Sequence, residues 1–328
     1  MKKILMLTML LLGHFFAFGQ NEEKRYYSNG QLEQLSLYDT NNQKTGEWKR
    51  YHENGKLATI GRYENDEQTG EWKNYFPNGK LSMIEIRDKG ILNGKWERYY
   101  IDGKLFEKGM YANGEKTNEW KVYYNNGQLS EIGSYENGKE TGEWKKYHEN
   151  GQLLYIGKYE NQNKTGDWKY YYESGQLEEI RHYKNGMEVE EWKSYYENGK
   201  PANIEWYNDG KLIGESKRYH EDGQLWIIGN FENGRQSGEW KWFHDNGKLK
   251  TAGSYIDGKS VGEWRGYHIN EKLEKIGQYD ENGKRTGEWK TYHNNGKLES
   301  IGQSKEGEQI GEWKYYNKKG KLIKKKIY

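Results

Sequence analysis

The sequence predicts an all-β fold, an elongated single-chain array of tandem antiparallel β-hairpins. Three observations predict it. Tryptophan recurs with a 24-residue period, Asn-Gly pairs punctuate each period, and 42 Gly, 30 Tyr and 14 Trp stand beside only 2 Pro in 328 residues. An aromatic content of 16% argues against disorder even though hydrophobic residues amount to only 33%.

The first element is a leader. Lys2 and Lys3 precede an apolar run from Ile4 to Phe16, and Ala17-Phe18-Gly19 places small residues three and one before a cut at Gln20. This is the pattern of a secretory signal peptide over residues 1–19, and the run is too short for a membrane span. The expectation is a mature chain from residue 20 that is secreted, periplasmic or on the cell surface. Without Lys2 and Lys3 the chain carries 50 basic against 50 acidic residues, a balance that predicts no nucleic-acid binding. There is no Cys, which excludes disulfides, thiolate metal sites, cysteine nucleophiles and a lipoprotein anchor.

The second element is the repeat, about thirteen copies filling residues 20–328 as a single domain. Trp48, Trp72, Trp96, Trp120, Trp144, Trp168 and Trp192 follow at intervals of 24; Ser216 takes the next slot, and Trp240, Trp264, Trp289 and Trp313 complete the series. Three residues after each slot stands Tyr or Phe, from Tyr51 to Tyr316, and nine after it stands Leu, with Pro201 the exception. Tyr26, Gly30, Leu32 and Tyr38 make a further copy ahead of Trp48.

Two turns divide each copy into two strands. Asn54-Gly55, Asn150-Gly151 and Asp222-Gly223 predict a two-residue type I′ hairpin, and Asn113-Gly114, Asn137-Gly138 and Asn233-Gly234 mark a second turn. The longer copies, at Asp39 to Thr45 and Asp280 to Thr286, place their extra residue in that second turn. Pairing Glu53 with Lys56 puts Tyr51 opposite Ala58 and Trp48 opposite Gly61, so each Trp is expected to cover the glycine of its own hairpin, as Trp144 over Gly157. A lone hairpin buries too little to stand, so consecutive copies are expected to cover one another.

Gly46-Glu47-Trp48, Tyr51, Asn54-Gly55-Lys56-Leu57 and Tyr63 resemble the bacterial variant of the MORN repeat, and the resemblance runs over residues 23 to 328. It implies a scaffold and not a catalyst. Many bacterial chains of this kind resemble those labelled YwqK-family antitoxins, which implies an immunity-type role and, for a chain with a leader, an exported target.

The residues themselves lead away from catalysis. His52, His148, His220, His244, His268 and His293 share one slot, where other copies carry Phe76, Tyr100 or Tyr172, so a planar packing residue explains them better than a base or ligand, and His148→Phe is expected to be nearly neutral. The Glu47 and Lys49 rows read as a solvated ladder of pairs between adjacent strands. No phosphate loop, zinc helix, nucleophile elbow or calcium loop occurs, so no cofactor is expected. The basic end, Lys318 to Lys326, reads as a blunted edge.

The repeat breaks most between residues 181 and 228, where Glu190, Glu205, Ser216 and Pro201 replace the usual residues and Trp206 and Trp226 add rings. These two tryptophans are the candidate partner-binding residues. The functional expectation is an exported, non-enzymatic scaffold for protein–protein interaction, with a glycan- or cell-wall-binding module as the alternative.

Overall fold

The computed structural model describes residues 21–328. The expected leader, residues 1–19, lies outside the described residues. Every regular element described is a β-strand, 26 in all, from Asn21–Tyr26 to Leu322–Ile327. The chain divides into two compact units. In the first, which reaches Leu129 and takes in Tyr135–Gly138, nine strands from Asn21–Tyr26 to Glu115–Tyr123 pair antiparallel, each with the next. In the second, Ser130–Ser134 with Lys139–Tyr328, sixteen strands from Lys139–Tyr147 to Leu322–Ile327 do the same. The strand Leu129–Glu136 gives residues to both units. Both units are tandem hairpins, as the period requires.

The two turns of a copy differ in kind, and the type I′ assignment belongs to the second. At Asn113-Gly114 both residues have positive φ, 50° and 82°, and Ala112 pairs with Glu115 across them. At Asn54-Gly55 only the glycine does, at 78°. There the His52 N–H donates to the Lys56 carbonyl and the Gly55 N–H to the His52 carbonyl, each at 2.8 Å. This is a three-residue loop closed by a glycine bulge. Asn54 instead accepts the Lys56 N–H on Oδ1 at 3.1 Å, a bond its side chain makes without left-handed backbone. The bulge moves the register by one, so Tyr51 pairs with Leu57 and not with Ala58, while Trp48 still pairs with Gly61. The extra residue at Asp280 has an analogous effect on the second turn: Asp280 N–H donates to Lys284 and Gly283 N–H to Asp280, so that turn too becomes a three-residue loop.

A second bulge lies between copies and explains the Gly-Glu-Trp triplet. Ile156 pairs with Lys169 and Lys158 with Thr165, so Gly157 alone faces Gly166-Asp167-Trp168. Gly166 takes φ of 62° to make the bend, and the Trp168 ring folds down onto Gly157. A Cβ on Gly157 would sit 2.1 Å from Trp168 Cδ2. Gly61 meets Trp72 in the same way, and Gly229 meets Trp240. The glycine is therefore covered by the tryptophan of the following copy, although its backbone partner is the tryptophan of its own hairpin. That corrects the expected cover of Gly157 by Trp144.

One copy forces the bend on a residue that resists it. Glu190 holds φ of 63° in the slot that Gly166 and Gly238 fill. A left-handed conformation costs a residue with a Cβ about 1–2 kcal/mol, partly offset by glycine's greater freedom when unfolded. Glu190→Gly is therefore expected to stabilise the chain by about 0.5–1 kcal/mol in denaturant unfolding; a loss of stability would show that the Glu190 side chain makes a compensating contact.

Candidate aromatic interface

Most recurrent residues are occupied by stitching one copy to the next. Trp72, Trp120, Trp144, Trp168, Trp240, Trp289 and Trp313 are buried. Edge-on tyrosines brace them: Tyr63 meets Trp72 at 5.3 Å and 88°, and Tyr159 meets Trp168 at 4.9 Å and 81°. The indole N–H of Trp168 donates to the Lys158 carbonyl of the preceding copy at 3.2 Å. Trp48, Trp96, Trp192 and Trp264 are half-buried. For the first three the preceding glycine slot holds Ser36, Glu85 or Arg181 in place of glycine.

The first-turn residues form a polar seam beside this aromatic one. His52 Nε2 donates to the Tyr75 carbonyl at 2.9 Å, Asn54 Nδ2 to Pro77 at 2.8 Å, and Lys56 Nζ to Asn78 at 2.8 Å. His148, His244, His268 and His293 repeat the histidine bond, and Tyr100, Tyr172 and Tyr196 make it with a phenol hydroxyl. The slot thus holds a planar ring that in most copies carries a donor, Phe76 and His220, whose Nε2 has no hydrogen-bond partner among the described residues, being exceptions, which sharpens the packing assignment and revises one expectation. His148→Tyr should leave stability within about 0.5 kcal/mol, whereas His148→Phe takes the donor from the Tyr171 carbonyl and should cost about 1 kcal/mol in thermal melts. Equal stability of the two variants would contradict the hydrogen bond.

The Glu and Lys rows pair along one strand and not between strands. Lys73 meets Glu71 at 2.6 Å, Lys145 meets Glu143 at 2.6 Å and Lys241 meets Glu239 at 2.8 Å, because residues two apart share a face. The hydrogen bond that the Lys73 ammonium donates to the Glu71 carboxylate holds it above its ordinary pKa. Pairs this exposed add little stability.

Among the irregular residues, Glu205 and Ser216 form a compensated exchange. Glu205 fills the glycine slot and Ser216 the tryptophan slot that would cover it, so a large and a small residue have traded places. The Glu205 carboxylate is buried and accepts from Ser216 Oγ at 3.4 Å, Arg218 at 3.4 Å and Tyr207 Oη at 3.3 Å. Burial first, and then the Glu205 charge, push the Tyr207 phenol up to about 12.

Trp206 and Trp226 are both exposed, at 42% and 41%, but they do not share a site. Trp206 lies across the ladder from Glu191 and from Ile213, itself exposed. Trp226 stacks on His220 with ring centroids 5.5 Å apart and lines an open groove of about 240 Å³ with Trp242, Lys250, Thr251, Tyr255 and Trp264. Trp242 lies 5.6 Å from Trp264 and 6.3 Å from Tyr255. The groove gathers the exposed Trp226 with the half-buried Trp242 and Trp264, and Trp242 is the member that sequence reading passed over. Its signal was available: Trp206, Trp226 and Trp242 are the three tryptophans outside the periodic slots. Among the described residues no three His, Asp or Glu side chains converge to hold a metal ion.

Eleven segments match the family model described as MORN repeat variant: residues 20–40, 44–65, 68–85, 92–113, 116–137, 140–161, 164–185, 191–205, 212–233, 236–257 and 285–306, together well over half of the chain. No curated protein matches. Among solved structures, a mutant of S. aureus TarM in complex with Fondaparinux, alpha-GlcNAc-glycerol and UDP is 17% identical over 33% of this chain and 21% of that one, with a TM-score of 0.22. TcdB2-TccC3 is 14% identical over 95% of this chain and 18% of that one, with a TM-score of 0.20. The chain spans about a fifth of the length of these structures, and likenesses at such scores carry no argument about activity.

Proposed function

Since the chain belongs to the MORN repeat variant family, we propose that it is an exported, non-enzymatic scaffold that binds a protein partner, an antitoxin or immunity-type role for this chain being the sharpest version. One observation carries the reading. The recurrent Trp, Gly, His, Asn and Lys residues are committed to contacts between copies, whereas the face that holds the tryptophans also presents a row that changes from copy to copy. That row includes Arg218 opposite Ile227, Trp242 opposite Thr251 and Tyr315 opposite Lys324. A regular frame with varied side chains suits extended recognition of one partner.

Crosslinking on intact cells, followed by capture of the full chain from the envelope fraction, tests the scaffold. A protein recovered with wild type and lost with Trp226→Ala or Trp242→Ala supports it; recovery of no protein overturns it. Export has its own test: the native protein is expected to begin at or near Gln20 on N-terminal sequencing, and cytoplasmic material that keeps Met1 would reject the leader. A glycan or cell-wall ligand is the second reading, favoured by the tryptophans that line the groove. Retention on peptidoglycan or polysaccharide that disappears in the same two variants, with the fold intact, would put it first.

A further inference from the structure

We propose that Trp242 and Tyr255, beside the buried Trp240, form a cation cage that receives a lysine side chain from the protein partner, an inference that rests on the scaffold reading. The chain contains the filled version of this cage one part of the array away. Lys164 Nζ stands 4.2 Å from the Trp168 ring, 5.0 Å from Tyr183 and 5.6 Å from Tyr170, and it donates to Tyr170 Oη at 2.9 Å. An ammonium among aromatic faces is attracted by their quadrupoles, most strongly by Trp.

The copy beginning at Trp240 repeats these rings position for position. Trp168 and Tyr170 lie 6.3 Å apart at 32°, and Trp240 and Trp242 lie 5.9 Å apart at 31°. Trp168 and Tyr183 lie 6.3 Å apart at 78°, and Trp240 and Tyr255 lie 6.0 Å apart at 79°. The residue equivalent to Lys164 is Gln236, which has no charge to place there. Among the described residues no cation stands over Trp240, Trp242 or Tyr255 in the way Lys164 stands over its rings.

The surroundings suit a basic segment. Trp242 and Tyr255 open onto the groove shared with Trp226 and Trp264, whose one lining cation is Lys250. Gln236 lines a neighbouring depression with the carboxylates of Glu232 and Asp257, beside Arg235. A lysine is the occupant to expect, because the slot seats an ammonium over the ring at Lys116 with Trp120 and at Lys164 with Trp168, and a guanidinium only at Arg285 with Trp289 among the described residues.

The test uses the full chain, nitrogen-15 labelled on its indoles, titrated with a tetralysine peptide and with the same peptide acetylated on every Nζ. The probe is expected to shift the Trp242 indole signal with millimolar affinity and to leave Trp168, already capped, in place. Gln236→Lys should weaken that binding about tenfold by filling the cage from within. Lys164→Gln should do the reverse and create a second responsive site at Trp168. No shift at Trp242 up to about 10 mM probe, or equal binding of the acetylated peptide, would overturn the proposal. The capture experiment separates it from the scaffold reading: a partner held equally by wild type and Gln236→Lys sinks the cage and leaves the scaffold standing.

Discussion

Trp168→Ala is expected to cost about 3–5 kcal/mol, the range for deleting a fully buried large ring from a core that cannot collapse around the gap. Trp168 is 1% exposed, touches Tyr155, Tyr159 and Tyr183 at ring distances of 5.4, 4.9 and 6.3 Å, and donates to the backbone of the preceding copy. Stability in such an array is local and shared with nearest neighbours, so the loss should appear first in the strands Leu153–Glu160 and Asn163–Tyr171. Native-state hydrogen exchange reads it: amides of those strands should exchange roughly a hundredfold faster or more. Trp206→Ala, which removes an exposed ring, should change protection by less than about 0.5 kcal/mol. Comparable effects of the two variants would mean that the periodic tryptophans are not the core.

Gly157→Ala should be nearly as costly, which is unusual for the addition of one methyl group. The new Cβ would lie 2.1 Å from Cδ2 and 2.3 Å from Cε2 of Trp168, atoms of a rigid ring pinned by its neighbours. The ring must leave its place. Overpacking alone costs about 1–3 kcal/mol, and expelling the ring adds the loss of its burial. Gly166→Ala, with nothing within 4 Å of its Cβ and only backbone strain to bear, should cost about 1 kcal/mol by the same exchange measurement. If Gly157→Ala proved as mild as Gly166→Ala, the glycine would not be there to admit the ring. The chain shows how such a clash is avoided: where Glu205 fills the glycine slot, Ser216 replaces the tryptophan.

The regularity of the sequence made the fold readable, because a 24-residue period with two turn signals per copy leaves tandem hairpins as the only economical arrangement. Three features were hidden by that same regularity. Asn-Gly occurs at both turns, yet Asn54 takes its place through a side-chain bond to Lys56 N–H and Asn113 through positive φ, which the dipeptide alone does not distinguish. Gly157 lies between Trp144 and Trp168 at nearly equal sequence distance, so periodicity cannot say which ring covers it; the bulge at Gly166 decides, and it belongs to the pairing between copies. The histidine row was legible as structural from its exchange with Tyr and Phe, but the carbonyl it serves lies in the next copy and is visible only once the copies are paired.

The candidate site was legible in part. Trp226 broke the period and does line the groove, but Trp242 stands two residues from the regular Trp240 and so looked like part of the frame. Trp206 broke the period equally and lies elsewhere, because an off-period ring marks exposure without saying which neighbours surround it.

Where a copy keeps its glycine, the tryptophan of the following copy locks onto it. A double-mutant cycle isolates that contact: Gly157→Ala is combined with Trp168→Ala and, separately, with Trp144→Ala, and the stability of each variant is measured by hydrogen exchange. Once Trp168 is gone the added methyl has nothing to strike, so Gly157→Ala should then be nearly free, giving a coupling of about 2 kcal/mol or more with Trp168 and a much smaller one with Trp144. Additive effects with Trp168, or stronger coupling to Trp144, would contradict the account.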